Sequence, residues 1–379
     1  MATSLRNQWQ RPGRILIIGD PRSPLTQERG LVGRKGGYEI YWYSAPKAEL
    51  KELAGAFSPP LCHFRLNALY SPLFLKCVIN RLKPDLVHTF YAYQQLDTLV
   101  ISRFRPLVLT LMGAEILPEQ RFDGRRRWPI KKMLDGADVI TSKSSFMDEA
   151  LNKIGNYAHK IRRVTWGVDT QKFRTGLDVS LFQHKWNIHQ EDLVFFSPRI
   201  CQPFYNKHII IQAFAAFLQK TISGAKAKLI VSELFAEEGY RRKLRSLVEE
   251  LGLTEHIHFV GAIPHSEMPA YFNLADIMVA IPTSDGMPQS LYEAMACGVF
   301  PILGNLPQYH EFIQNGVNGK LVTVGDINEL GEAMSWAAEH EEQRKTAAII
   351  NRQHVLEIAD KDIQDRIVIS IYEELCQKY

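Results

Sequence analysis

Two doubly wound, parallel α/β domains are what this sequence predicts, and three observations predict them. The chain has 379 residues, 46% hydrophobic and 23% charged, ordinary globular proportions at about twice the usual single-domain length. Short apolar runs alternate with longer amphipathic stretches, the pattern of βαβ units whose sheets are covered on both faces. Charge also divides along the chain: residues 1–170 carry 26 Lys and Arg against 15 Asp and Glu, the remainder 19 against 26. Opposite signs on the two halves fit separate domains, the first suited to an anionic partner.

The first series of strands is read at 14–19, 39–43, 86–88, 107–111, 139–141 and 163–165. A polar stretch from Thr170 to Asp192 separates it from a second series at 193–197, 228–232, 256–260, 277–280, 299–303 and 320–322. Helices are read between these at 208–218, 240–250, 288–296 and 327–338. A charged helical stretch, 343–377, is longer than the second sheet needs and is expected to cross back onto the first domain. The expected boundaries are 1–172 for the first domain, 173–362 for the second and 363–379 for a C-terminal helix packed on the first. No apolar run approaches the roughly 18 residues of a spanning helix, and the run 15–18 is too short for a signal-peptide core; a cytoplasmic protein is expected. The cysteines Cys62, Cys77, Cys201, Cys297 and Cys376 are scattered without CxxC spacing, so neither a disulfide framework nor a zinc site is indicated.

Ligands of open parallel sheets bind beyond the carboxyl ends of the strands, which directs attention to segment 281–298, I-P-T-S-D-G-M-P-Q-S-L-Y-E-A-M-A-C-G. Ser284, Asp285 and Gly286 suit a turn, Pro288 the first helical turn, and Gly298 the position after the last. A helix starting there points unpaired N–H groups and a positive dipole end at a phosphate. Gln289 and Ser290 add side-chain donors, and Glu293, on the same face, is suited to ribose hydroxyls. On these residues alone a plainer reading stands beside this one: Ser284 or Asp285 caps the helix and Glu293 belongs to a solvated face. A second constellation is Arg199, after strand 193–197, with Lys207 opening the next helix. An Arg fork and a Lys ammonium would neutralise charge growing on a diphosphate leaving group, in place of a metal. A merely solvated Lys207 is the alternative.

The segment 281–298 resembles the E-x7-E signature of the family-4 retaining glycosyltransferases, with Asp285 in place of the first Glu and Glu293 as the second. The blocks 83–88, 136–140, 166–173, 283–288, 292–298 and 315–319 follow that family's order. The resemblance implies the GT-B arrangement, two Rossmann-like domains facing across a cleft, with a nucleotide diphosphate sugar held by the second and an acceptor hydroxyl by the first. It implies donor contacts from Gly286, Met287, Pro288, Gln289, Ser290, Leu291 and Glu293, catalytic roles for Asp285, Arg199 and Lys207, and a nucleotide base beside Gly261; a simple turn glycine is the alternative for Gly261. On the acceptor side, 110–115 resembles the family's T-x-H-G-x-D segment, leaving Gly113 and Glu115 as candidates, but Met112 stands where many members have His. His88 is a further acceptor-side candidate, although a strand-end His is more often structural.

The D-x-D at Asp360–Asp362 lies among charged residues at a helix start and reads as a cap. Gly30, Gly33, Gly36 and Gly37 lack G-x-G-x-x-G spacing and read as helix-end and turn glycines. Arg121, Arg125, Arg126, Arg127, Lys131 and Lys132, interleaved with Phe122 and Trp128, suit either an anionic leaflet or a solvated helix face. No nucleic-acid motif accompanies them. The expected function is therefore hexose transfer with retention, independent of a cofactor or metal, onto a glycan or lipid-linked acceptor in surface polysaccharide or glycolipid synthesis. A GT-B epimerase or phosphorylase, or an inactive binding protein, is the alternative.

Overall fold

The computed structural model describes residues 12–21, 23–44, 56–57, 64–92, 95–113, 115–117, 124–220 and 226–379. The chain folds as two compact units, Met1–Trp166 with Asp362–Tyr379, and Gly167–Lys361.

In the first unit, the described strands are β1 (Arg14–Ile18), β2 (Glu39–Tyr43), β3 (Ala56–Phe57), β4 (Leu86–Phe90), β5 (Leu107–Thr110), β6 (Val139–Ser142) and β7 (Ile161–Arg163). They form one sheet in the order β3-β2-β1-β4-β5-β6-β7, with parallel pairing. Alternate side chains point to opposite faces: Ile15 and Ile17 join a core with Trp42, Leu86 and Val108, whereas Leu16 and Ile18 pack with Val87, Leu109 and Met133. Burial on both faces explains why β1 and β5 read as unbroken apolar runs. Gly30 lets its helix lie against Trp42, since a Cβ there would come within 2.5 Å of the ring.

The C-terminal helix Lys361–Lys378 belongs to this unit, with Val368, Ile371, Tyr372 and Leu375 in the core around Ile15 and Ile17. Lys35 pairs with Asp362 at 3.1 Å and Asp365 at 2.7 Å, and Gln364 Oε1 accepts from the Thr165 amide at 2.9 Å. That last bond accounts for a difference from the strand read at 163–165: β7 ends at Arg163, and Thr165 turns to Gln364 instead.

The second unit contains β8 (Leu193–Ser197), β9 (Ala227–Val231), β10 (Ile257–Phe259), β11 (Ile277–Ala280), β12 (Phe300–Gly304) and β13 (Lys320–Val322). Their order is β10-β9-β8-β11-β12-β13, again parallel. After β8 the chain adds strands on one side, and from β11 on the other. The switch point lies between β8 and β11, the place where open parallel sheets bind their ligands, beyond the carboxyl ends of the strands.

The helical stretch read at 343–377 is two helices, Glu341–Ile358 and Lys361–Lys378. The break has a cause: the Lys361 amide donates to the Val168 carbonyl at 2.9 Å and the Val168 amide to the Ala359 carbonyl at 2.8 Å, while Asp360 accepts from the Thr170 hydroxyl at 2.7 Å. Gly167–Thr170 is thereby drawn into the second unit, so the division falls before Gly167 and not at 172. It also separates the D-x-D carboxylates, Asp360 holding Thr170 and Asp362 holding Lys35.

Candidate functional site

The site at the switch point is built from the loops leaving β8, β11 and β12. After β8, residues 202–206 lengthen the spacing between Arg199 and Lys207 and fold as the short turn Pro203–Tyr205. Asn206 takes a left-handed backbone, φ 52°, and its side-chain amide donates to the Ile281 carbonyl at 2.9 Å. The Thr283 amide donates to the Phe204 carbonyl at 3.0 Å. These bonds sew the β8 loop to the β11 loop and bring Arg199 to Asp285.

Arg199 Nη2 lies 2.7 Å from Asp285 Oδ2, its Nη1 donates to Ser290 Oγ at 3.2 Å, and its guanidinium carbon stands 5.1 Å from the centre of the Tyr205 ring. Burial opposes the Arg199 cation, but the Asp285 carboxylate, Tyr309 and Tyr205 outweigh it and raise its pKa. Lys207 opens the helix Lys207–Lys220 and is only 1% exposed. Its ammonium reaches back to Ser197, 3.0 Å from the carbonyl and 3.1 Å from Oγ. Burial, with Arg199 nearby, lowers its pKa to about 7. A solvated Lys207 is thereby ruled out.

Asp285 is held on every side. Its Oδ1 accepts from the Gly286 amide at 2.7 Å, its Oδ2 from the Tyr309 hydroxyl at 3.2 Å, and its carbonyl from the Gln308 side chain at 2.6 Å. Burial and the Asp285 charge push the Tyr309 phenol well above its usual range, so it stays neutral and donates. Met287 then turns the chain with a left-handed backbone, φ 80°, and Pro288 precedes the helix Gln289–Ala296 without a side-chain cap. The capping reading of Ser284 or Asp285 is corrected here: the Asp285 carboxylate turns to Arg199, not to the helix. This helix start lies beside Arg199, which donates to Ser290 in its first turn, and a guanidinium next to an uncapped helix N-terminus favours an anion. Leu291 contributes no polar side chain; it packs in the core with Tyr292 and Met295.

Glu293 sits one turn further on, 4% exposed, its Oε1 2.8 Å from His265 Nε2. The His265 ring stands 5.4 Å from that of Phe173. Gly261, after β10, has φ 70° with open space around it; the left-handed backbone is what requires glycine there. His265, Gln308, Tyr309 and Tyr205 were not singled out in the sequence. Each follows a strand's carboxyl end, in the loops after β10, β12 and β8, so the strand-end rule applied to every loop would have found them.

In the first unit, Gly113 (φ 113°) accepts from the amides of Ile116 and Leu117, both at 3.0 Å. Glu115 Oε1 accepts from the Met112 amide at 2.9 Å, and burial raises its pKa. The Met112 side chain packs against the core that holds Trp166 and Tyr372. His88 is corrected as an acceptor-side residue: it is buried, Nδ1 lies 2.5 Å from the Tyr372 hydroxyl and Nε2 2.7 Å from Thr110 Oγ1. Burial and Arg29 lower its pKa to about 3, so it serves as a neutral link to the C-terminal helix. Of the basic run, Arg121 lies outside the described residues, as do the side chains of Arg125 and Arg126 in the helix Gly124–Gly136. Arg127, Lys131, Lys132 and Trp128 line a cavity of 590 Å³ with Ser102 and Arg105. Among the described residues, no three His, Cys, Asp or Glu side chains group as a metal site would require, and no helix is long and apolar enough to cross a membrane.

Two family models match consecutive stretches of the chain: Glycosyltransferase Family 4 over residues 29–172 and Glycosyl transferases group 1 over 179–354. Relatives include the GDP-mannose-dependent alpha-(1-6)-phosphatidylinositol monomannoside mannosyltransferase of Mycobacterium tuberculosis, 23% identical over 215 residues, 54% of each chain. Another is the D-inositol 3-phosphate glycosyltransferase of Corynebacterium urealyticum, 21% identical over 256 residues, 66% of this chain and 60% of that one. The chain spans about half the length of the first such curated relatives it matches. Similar solved structures include sucrose-phosphate synthase from Thermosynechococcus elongatus, 17% identical with a TM-score of 0.79 over 97% of this chain and 100% of that one. Anabaena Alr3699/HepE in complex with UDP and glucose is 19% identical, with a TM-score of 0.78 over 96% of this chain and 100% of that one. At these identities the structures establish the fold. With both models matched in order, and with Asp285 and Glu293 on the turn and helix that follow β11, the chain belongs to glycosyltransferase family 4 and has the GT-B type of fold.

Proposed function

We propose that the protein is a retaining glycosyltransferase that moves a hexose-type sugar from a nucleotide diphosphate sugar to a hydroxyl of a glycan or lipid-linked acceptor. The observation that carries this reading is the convergence of Arg199, Lys207 and an uncapped helix start at one switch point. Such a set stabilises a diphosphate as it leaves. The solved Anabaena neighbour with UDP and glucose bound supports a donor of that class. The leaving phosphate oxygen accepts the proton of the attacking hydroxyl as the new C–O bond forms on the face from which the old one breaks. Arg199, Lys207 and the helix amides hold the negative charge, which makes a metal unnecessary. Asp285 faces the sugar hydroxyls, and Glu293, oriented by His265, takes the ribose hydroxyls. Gly113 and Glu115 remain the acceptor-side candidates.

The acceptor reading, with surface polysaccharide or glycolipid as product, extends to a peripheral contact with an anionic membrane. The cavity lined by Arg105, Arg127, Lys131 and Lys132, with Trp128 57% exposed at its rim, supports it. Both parts are tested directly. UDP-, GDP- and ADP-sugars are screened for a rise in melting temperature, and the stabilising donor is then assayed for acceptor-dependent turnover with and without EDTA. Stabilisation by one donor and chelator-resistant transfer with retained anomeric configuration are expected. Loss of turnover in EDTA, an altered free sugar without acceptor, or no stabilisation refutes the reading. Replacing Arg127, Lys131 and Lys132 with Gln is expected to release the protein from anionic vesicles; unchanged flotation ends the membrane contact.

A further inference from the structure

The guanidinium best placed to receive a donor phosphate already carries an anion. Asp285 Oδ2 is 2.7 Å from Arg199 Nη2, and the two side chains are only 10% and 16% exposed. A carboxylate oxygen on a shielded guanidinium offers the same charge-assisted bond as a phosphate oxygen. A diphosphate arriving on that nitrogen meets a like charge at contact distance, with little water to screen it. The two anions therefore exclude each other from Nη2.

The same carboxylate has a second holder. Tyr309, fully buried, donates to Asp285 Oδ2 at 3.2 Å, on a turn separate from Arg199, Pro307–Glu311 after β12. Gln308, its neighbour on that turn, binds the Asp285 carbonyl, so the Asp285 backbone and the Tyr309 ring are fixed relative to each other. When Arg199 lets go, Oδ2 remains on the Tyr309 hydroxyl and Oδ1 on the Gly286 amide.

We propose that Asp285 is an internal anion displaced from Arg199 by the donor's diphosphate, and that Tyr309 is the positioning residue that retains the released carboxylate for the sugar. This rests on the donor reading above. The exchange links the two halves of the donor: the phosphate end frees the carboxylate, and the sugar end receives it. It costs affinity for a nucleoside diphosphate, which displaces Asp285 without offering it a sugar. No covalent step is added.

The test uses the full chain and its Asp285→Asn, Asp285→Ser and Tyr309→Phe variants, each checked for native circular dichroism. UDP, GDP and ADP are titrated calorimetrically, and kcat and donor KM are measured. Asp285→Asn is expected to bind the nucleoside diphosphate at least fivefold more tightly than the parent, with kcat greatly reduced; Asp285→Ser repeats the binding test with a smaller neutral side chain. Tyr309→Phe is expected to keep diphosphate affinity and donor KM within about twofold while kcat falls at least tenfold, a split that loss of fold would not produce. Equal or weaker binding in the folded Asp285 variants, or a parallel loss of affinity and kcat in Tyr309→Phe, overturns the proposal alone. Failure of the parent to bind any of the three nucleotides overturns the proposed function as well.

Discussion

Replacing Lys207 with Met should make the protein more stable in mild acid and unable to hold a diphosphate. The side chain is buried against the end of β8, and its pKa falls from 10.5 to about 7. Because this base has a lower pKa folded than unfolded, the unfolded chain binds more protons between those values, and stability rises with pH across the window. Below pH 7 both states are charged and the full cost is present, about 5 kcal/mol at 1.36 kcal/mol per pKa unit. Methionine of similar volume removes that cost but leaves the Ser197 carbonyl without its donor, at about 1–3 kcal/mol. The variant should therefore gain about 3 kcal/mol at pH 6. At pH 9 the parent retains a cost of only about 2 kcal/mol, so the gain should vanish. With about 2–4 °C per kcal/mol for a unit of this size, the melting difference should change by about 6–12 °C between the two pH values. Thermal melts of both proteins at pH 6 and pH 9 measure it. A difference independent of pH would show that Lys207 keeps an ordinary pKa, and the argument from its burial would fail.

Nucleoside diphosphate binding at pH 8 should take up a proton, because Lys207 is largely neutral in the empty site and charged beside a phosphate; titrations in buffers of different ionisation enthalpy report the uptake, and affinity should weaken above pH 7. Glu293→Gln should raise donor KM by about 10- to 100-fold, the worth of charged hydrogen bonds to a ribose, and His265→Ala should raise it less, since His265 only orients Glu293; steady-state kinetics separate the two. Tyr372→Phe should cost about 1–3 kcal/mol by leaving His88 Nδ1 unpaired inside the first unit, measured by urea unfolding. Gly298→Ala should cost more than about 1 kcal/mol, since φ is 78° and the new Cβ would lie 3.0 Å from Thr175 Cγ2; a thermal melt of the second unit reads it.

The strands at 39–43, 193–197, 277–280 and 320–322 were legible to the residue because each is mostly apolar and places most of its residues in the interior. The pair Ala56–Phe57 was not read, being too short for a pattern and defined by pairing with Trp42 and Tyr43. The end of β7 was misplaced because a glutamine 199 residues away claims the Thr165 amide. At the site, Arg199 and Glu293 were singled out from their places after apolar strands, and Asp285 through the resemblance of segment 281–298 to the E-x7-E signature. His265 and Tyr309 were not, because their roles exist only where the loops after β10 and β12 meet the helix and turn after β11.

Local sequence, then, determined which segments are strands and helices, since apolar period and turn residues act over a few neighbours. It also determined that a helix start follows β11. Strand order decided the rest. Placing β8 beside β11 brought Arg199 onto Asp285 across 86 residues of chain, buried Lys207, and turned His88 from a candidate ligand into a hydrogen-bonded part of the core. Such outcomes depend on which loops become neighbours and how much water they exclude, and those are properties of the packed molecule, not of any segment within it.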